Sequence, residues 1–222
     1  MIISYKHNFI FVKTHKTAGT TVQVILGKML YGNAGPDDVV TPIRPIEQPM
    51  LDKERPYRPM NGGEWEPHTT SANIISVIGR EKFDSMFTFC FERNPWEKVV
   101  SWYLFHIKVG KVVDKDFETW FHDIFVVYRN KYPGWPGATD PCDWYMYTMN
   151  DEVVVDYIGR WETLQKDFEK ICRIIGLEFD GIWPYMKKND WDRNYKKYYR
   201  PWMVDLVADI FHKEVEAFQY DY

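Results

Sequence analysis

The sequence predicts a layered α/β fold with parallel crossovers, and three observations carry that expectation. Short, mostly apolar runs, FIFV (Phe9–Val12), MFTFCF (Met86–Phe91) and VVVDYI (Val153–Ile158), read as strands, the first as one covered on both faces. Longer stretches of helical periodicity lie between them, and strands separated by helices are joined by crossovers that leave them parallel. At 222 residues the chain suits one domain, residues 1–222, which buries a core without disulfide staples.

Taken in order, Phe9–Val12 runs into the loop KTHKTAGTT, after which Val22, Ile25, Leu26, Met29 and Leu30 repeat at helical spacing. Residues 33–67 turn to Pro, Gly and charged residues with little periodicity and read as a long excursion. A second helix is expected after Thr70 or Ser71 as cap, with Ile74, Ile75 and Ile78 inward and Gly79 closing it. Behind the strand Met86–Phe91, RNPWEKVVSWYLFHIK begins a helix that Asn94 caps. Pro95 suits its first position, and Glu97 sits where a capping-box acid reaches back. Trp96, Val99, Val100, Tyr103 and Ile107 form its apolar stripe. Helices are further expected over Asp116–Arg129, Thr163–Gly176 and Pro201–Phe218, with an aromatic and proline-rich connection through Trp135 and Pro141. There is no internal repeat.

The formal net charge of −4 argues against general binding to nucleic acid or anionic membrane, so any anion site must be local. Three cysteines, with Cys90 and Cys172 among apolar residues, read as reduced core thiols. No apolar run approaches the ~20 residues of a membrane helix, and Met1 precedes a strand-like segment with no secretory pattern, so a cytoplasmic protein is expected.

The loop after the first buried strand opens a helix and so presents unsatisfied backbone N–H groups at the positive end of a dipole, the setting of a phosphate site. Gly19 permits close approach, Thr17, Thr20 and Thr21 bring hydroxyls, and Lys16 brings a mobile charge. A threonine-capped helix with surface lysines is the plainer reading. The nucleotide-triphosphate pattern G-x-x-x-x-G-K-[ST] is not met, because Lys16 precedes Gly19 and no glycine lies earlier in the loop. Arg93 ends a buried strand beside a capped helix start, and Ser101 lies about two turns along that helix on a similar face, so one anionic group can touch both. Equally, Arg93 can pair with Glu92 or Glu97 while Ser101 packs.

KTHKTAGTT (Lys13–Thr21) resembles the 5′-phosphosulfate loop of sulfotransferases, especially the Golgi carbohydrate type and its bacterial relatives, and RNPWEKVVSWY resembles their 3′-phosphate segment. Gly159–Leu177 and the C-terminal stretch from Asn194 also resemble that family, so the similarity spans most of the chain. The resemblance implies 3′-phosphoadenosine 5′-phosphosulfate as donor, with its desulfated form as product, no metal, and a three-layer α/β/α fold like that of P-loop NTPases, with a central parallel sheet. It assigns the 5′ end of the donor to Lys13, His15, Lys16, Thr17, Ala18, Gly19, Thr20 and Thr21, and the 3′-phosphate to Arg93 and Ser101. Arg160 and Tyr199 fall in further segments that resemble the family and are candidates for nucleotide contacts, against a plain packing role. Glu92 departs from the pattern, since an apolar residue commonly precedes the family's arginine; an acid there weakens a phosphate site unless it points away.

Sulfuryl transfer to a hydroxyl needs a base, and PHTTSANIISVIG resembles the segment that carries the family's histidine, which makes His68 the candidate. A helix-capping role for His68 is the alternative. His106 is expected to pack, His15 to shape the loop, and His7, His122 and His212 to be ordinary surface or helix residues. No His and Cys spacing resembles a zinc site. Acceptor choice is expected to rest with the excursion, through Arg44, Arg55, Arg58 and Trp65, and with the stretch around Trp135 and Trp144. A carbohydrate hydroxyl is the leading acceptor by family resemblance, in a bacterial or viral cytoplasmic member. A P-loop-like nucleotide kinase and a catalytically silent nucleotide- or glycan-binding module are the competing readings.

Overall fold

The computed structural model describes residues 1–31, 39–40, 68–112, 114–128, 130, 142–183 and 194–222. Most of the excursion 33–67, with Arg44, Arg55, Arg58 and Trp65, and the connection through Trp135 and Pro141 lie outside these residues. The chain divides into two compact units, Met1–Glu92 with Tyr145–Met186, and Arg93–Trp144 with Lys187–Tyr222.

In the first unit the elements are β1 (Ile2–Ser4), β2 (Phe9–Phe11), α1 (Gly19–Tyr31), β3 (Val39–Val40), α2 (Ser71–Ile78), α3 (Arg80–Asp84), β4 (Phe87–Glu92), β5 (Thr148–Met149), β6 (Glu152–Val153) and β7 (Tyr157–Arg160), followed by the helix Leu164–Ile174. The main sheet runs β3-β1-β2-β4-β7. The expected parallel arrangement holds for β2, β4 and β7, with Phe11 beside Phe89 and Phe91 beside Gly159. The sheet is mixed, because β1 pairs antiparallel with both β2 and β3. The cause is local: only Tyr5–Asn8 separate β1 from β2, too few residues for a crossover, and Asn8 takes the left-handed conformation such a turn requires (φ 52°). Phe9, Phe11, Phe89 and Phe91 interlock with Val22, Ile25, Leu26 and Leu30 of α1 and with Phe168 and Ile171 of the last helix. Thr70 caps α2 as expected, its hydroxyl accepting from Asn73 N, and Gly79 (φ 85°) closes it.

The expected strand Val153–Ile158 is divided. Glu152–Val153 belongs to a separate hairpin with Thr148–Met149, turned through left-handed Asn150 and Asp151, and β7 begins only at Tyr157. Asp156 marks the change of partner: its carboxylate accepts from Thr88 N (2.7 Å) and Thr88 Oγ1 (2.8 Å), which fixes β7 beside β4.

The second unit packs α4 (Pro95–Lys108), α5 (Phe117–Phe121) and the helices Pro201–Ile210 and His212–Phe218 around an aromatic core of Trp96, Trp102, Tyr103, Trp120, Phe121 and Phe211. Asn94 caps α4, accepting from Trp96 N and Glu97 N. Glu97 does not complete a capping box; it pairs with Arg93 instead. Trp96, Val99, Val100 and Tyr103 are buried as expected, whereas Ile107 is 43% exposed and Trp102 and His106 are buried in its place. The expected helix from Asp116 becomes α5 followed by a π-helical segment, His122–Tyr128. Pro201–Phe218 is broken at Phe211, whose fully buried ring sits in the core where the helix changes course.

Lys98, in the first turns of α4, has no exposed surface and reaches Asp143 at 2.6 Å. Glu214 lies beside this pair and accepts from Cys142 Sγ and Trp144 N, each at 3.2 Å. Burial, opposed by Lys98 and reinforced by Asp143, raises the Glu214 carboxyl above its ordinary range. The cysteines are free thiols; Cys90 and Cys172 are buried, and burial pushes the Cys172 thiol up to about 12.

Two measurements check this packing. A Cβ at Gly159 would stand 2.5 Å from Phe91 Cε1, inside the sheet core, so Gly159→Ala is expected to cost about 1–3 kcal/mol, read as a thermal midpoint several degrees lower. Glu214 binds its proton more tightly folded than unfolded, so the stability it contributes is complete below the ordinary carboxylate range and is lost as pH rises through its raised folded pKa. Glu214→Gln should therefore match the parent's midpoint in acid and exceed it above that pKa, in thermal melts taken across pH.

Candidate active site

The parallel register of β2 and β4 brings the residues after β2 to the carboxyl edge of the sheet, where ligands bind in open α/β folds. Val12 N donates to Phe89 O (2.8 Å), and two residues on Thr14 donates its hydroxyl to Phe91 O. The Thr14 hydroxyl also shares a 2.8 Å hydrogen bond with that of Thr17. The loop is thus fastened to β4 at its root before it turns into α1. Thr14, Thr17 and Thr21 are buried, while His15, Lys16, Ala18 and Thr20 are half-buried.

Two non-glycine residues of this loop adopt left-handed backbone, Lys16 (φ 58°) and Ala18 (φ 62°). Each costs about 1–2 kcal/mol. Alternating hand turns successive N–H groups toward one concave face, the geometry of an anion-binding nest, and here it runs directly into the helix N-terminus at Gly19. Beneath Gly19 passes the stem of Lys13: a Cβ on Gly19 would stand 2.7 Å from Lys13 Cγ. The ammonium of the buried Lys13 donates to Gln23 Oε1 at 2.7 Å, which sets a positive charge under the first turns of α1. Sequence reasoning missed Thr14 and Gln23. Their signal was a polar residue inside a buried register, Thr14 three residues past the strand and Gln23 within the apolar run VQVIL.

His68 comes to the same loop. Its Nδ1 lies 2.8 Å from the Lys13 carbonyl oxygen, and its ring stacks on His15 with centroids 3.9 Å apart and planes 11° from parallel. A carbonyl only accepts, so Nδ1 carries the hydrogen in this bond and the lone pair of the neutral ring is on Nε2. Thr70, not His68, caps α2 through its side chain.

Arg93 and Ser101 are both buried in the second unit. Arg93 Nη2 pairs with Glu97 Oε1 at 3.0 Å, which holds the guanidinium against the first turn of α4. Glu92, the departure from the family pattern, has no exposed surface and accepts from the Tyr147 hydroxyl at 3.1 Å. Arg160 ends β7 opposite Glu92, its backbone N–H donating to Asp167 Oδ2. Tyr199 packs against Phe117, Phe121 and Tyr222 and donates its hydroxyl to Trp96 O at 2.7 Å; burial raises its pKa well above the ordinary value. That geometry is the packing role. His106 is likewise a core residue, its Nδ1 accepting from Trp120 Nε1 at 3.2 Å.

Among the described residues no cluster of three or more His, Cys, Asp or Glu is placed to hold a metal ion, and no helix is long and apolar enough to cross a membrane. The alternating backbone at a helix N-terminus on the sheet's carboxyl edge is geometry suited to an anion, and a histidine is hydrogen-bonded at its root. The chain belongs to the sulfotransferase family, whose sequence profile matches residues 1–221. It is also similar to an uncharacterized protein of Archaeoglobus fulgidus, 41% identical over 106 residues, which is 47% of this chain and 79% of that protein. No solved structure matches the chain.

Because the Lys13 stem fills the space under Gly19, Gly19→Ala is expected to destabilise the protein by about 1–3 kcal/mol. In Lys13→Ala the added methyl finds room. A thermal-melt double-mutant cycle should therefore show the pair costing less than the sum of the single changes.

Proposed function

We propose that the chain is a single-domain sulfotransferase with a three-layer, P-loop-like arrangement. It transfers the sulfuryl group of 3′-phosphoadenosine 5′-phosphosulfate to a hydroxyl, and a carbohydrate or glycoconjugate is the acceptor class. The observation that carries this reading is the bond from His68 to the Lys13 carbonyl, which joins two candidates 55 residues apart in sequence. The alternating backbone at Lys16 and Ala18, running into the helix start at Gly19, fits the 5′ end of the donor, and the buried Arg93 and Ser101 fit its 3′-phosphate. Glu97 then acts as the internal counterion that keeps the Arg93 guanidinium oriented before the nucleotide arrives.

When bound, the donor supplies an activated sulfuryl group on a phosphate leaving group. Lys16 and the loop N–H groups neutralise the negative charge that grows on the bridging oxygen, the kind of preorganised electrostatic help that dominates such reactions. His68 Nε2 takes the proton of the acceptor hydroxyl, while the Lys13 carbonyl keeps Nδ1 protonated and so fixes the tautomer. No residue in this scheme calls for a metal. The acidic balance of the chain supports an enzyme that acts on neither nucleic acid nor anionic membrane, and a cytoplasmic location is part of the same proposal.

Calorimetric titration with 3′-phosphoadenosine 5′-phosphate, compared with AMP and ATP, tests donor recognition. Selective binding that is lost in Lys16→Ala and Arg93→Ala is expected, and equal affinity for all three nucleotides would refute it. Turnover with labelled donor and a panel of glycosides tests the base: His68→Ala should lose about 10²–10⁴-fold in kcat with donor binding kept, and near-normal turnover would remove His68 from the mechanism.

A further inference from the structure

We infer that His15 is a positioning residue that fixes the plane of the His68 ring, rather than a contact of the sulfate donor. The inference deepens the reading above and rests on His68 being the base. The hydrogen bond from Nδ1 to the Lys13 carbonyl (2.8 Å) sets the direction of one ring nitrogen, while the tilt of the ring plane about the N–H···O axis is a separate degree of freedom. Rotation about that axis swings Nε2, the atom that receives the proton. A flat neighbour against the ring face removes this freedom, and His15 is that neighbour, at 3.9 Å and 11° from parallel.

The arrangement has a local logic. The carbonyl that holds His68 belongs to Lys13, the ring that stacks on it belongs to His15, and Lys16 follows at once with its left-handed backbone. The base is therefore mounted on the same four residues that aim the leaving-group lysine. The distance between proton acceptor and leaving-group charge is then set by a short stretch of backbone already tied to β4 through Thr14 and Phe91, not by the fit of a distant segment. A ring in the His15 position serves through its face, so any flat aromatic side chain of similar size does the same work, while alanine does not.

The test combines NMR of histidine-labelled enzyme with kinetics, using His15→Ala and His15→Phe and assigning the His68 signals from His68→Asn. In the parent enzyme, long-range proton–nitrogen spectra of the neutral form should show His68 as the Nδ1–H tautomer, with its carbon-bound ring protons shifted upfield by the stacked neighbour. His15→Ala should abolish the upfield shift and lower kcat by between about tenfold and a hundredfold, the range expected for a misplaced catalytic group, with the donor KM changed less than about twofold. His15→Phe should restore both the shift and most of kcat, a rescue that simple loss of folding cannot produce. An unchanged His68 spectrum in His15→Ala overturns the proposal, as does an altered spectrum with unaltered kcat. A raised donor KM at constant kcat returns His15 to donor binding and also overturns it. Failure of the base assignment itself is read separately, from near-normal turnover of His68→Ala whatever the spectra of His15 variants show.

Discussion

The pairing of β2 with β4 is the constraint on which the first unit's site depends. Its parallel register ends both strands at the same edge, and the hydroxyl of Thr14 continues the attachment two residues beyond the Val12 ladder bond by donating to Phe91 O. A loop that left β2 without this tether would have to stabilise two left-handed non-glycine residues by itself, at about 1–2 kcal/mol each. Fastened at its root and continued by thirteen residues of helix, it holds that strain in place. The same root carries the Lys13 carbonyl, so the orientation of His68 follows from the strand pairing as well.

Buried charge is the second organising feature, and it is handled differently at each position. Lys13 donates to a neutral amide, Gln23, beneath the helix start. Arg93 is matched by Glu97 one helical turn away, an arrangement that orients the guanidinium. Lys98 is matched by Asp143 with Glu214 alongside, and there burial raises the Glu214 carboxyl above its ordinary range against the pull of Lys98. Removing one member of such a group leaves its partner buried and uncompensated, which is why these residues bear on folding as much as on ligands.

Hydrogen-bond partners decide what the aromatic and histidine residues do. Tyr199 spends its hydroxyl on Trp96 O, and His106 spends its ring nitrogen on Trp120, so both serve the core of the second unit. His68 also bonds a carbonyl, yet that carbonyl belongs to the anion loop, and its ring remains half-buried rather than enclosed. Position on the fold, not residue type, separates the candidate base from the structural histidine.

Much of this was legible in the chain itself. The start of α1, the Thr70 and Asn94 caps, the Gly79 stop and the buried faces of β2 and β4 all follow from local rules of capping, backbone freedom and periodicity, which act within a few residues. The loop between β2 and α1 was placed for the same reason, since Lys13–Thr21 are nine consecutive residues between an apolar run and a helical repeat. What the sequence could not determine were the choices made between distant segments. β1 turns back as an antiparallel neighbour, β7 begins at Tyr157 because Asp156 meets Thr88, Glu97 abandons the capping box for Arg93, and the stack of His15 on His68 joins residues 53 apart. Those outcomes depend on which partner offers the lower free energy once the core has closed, and only the tertiary structure brings the competing partners within reach of one another.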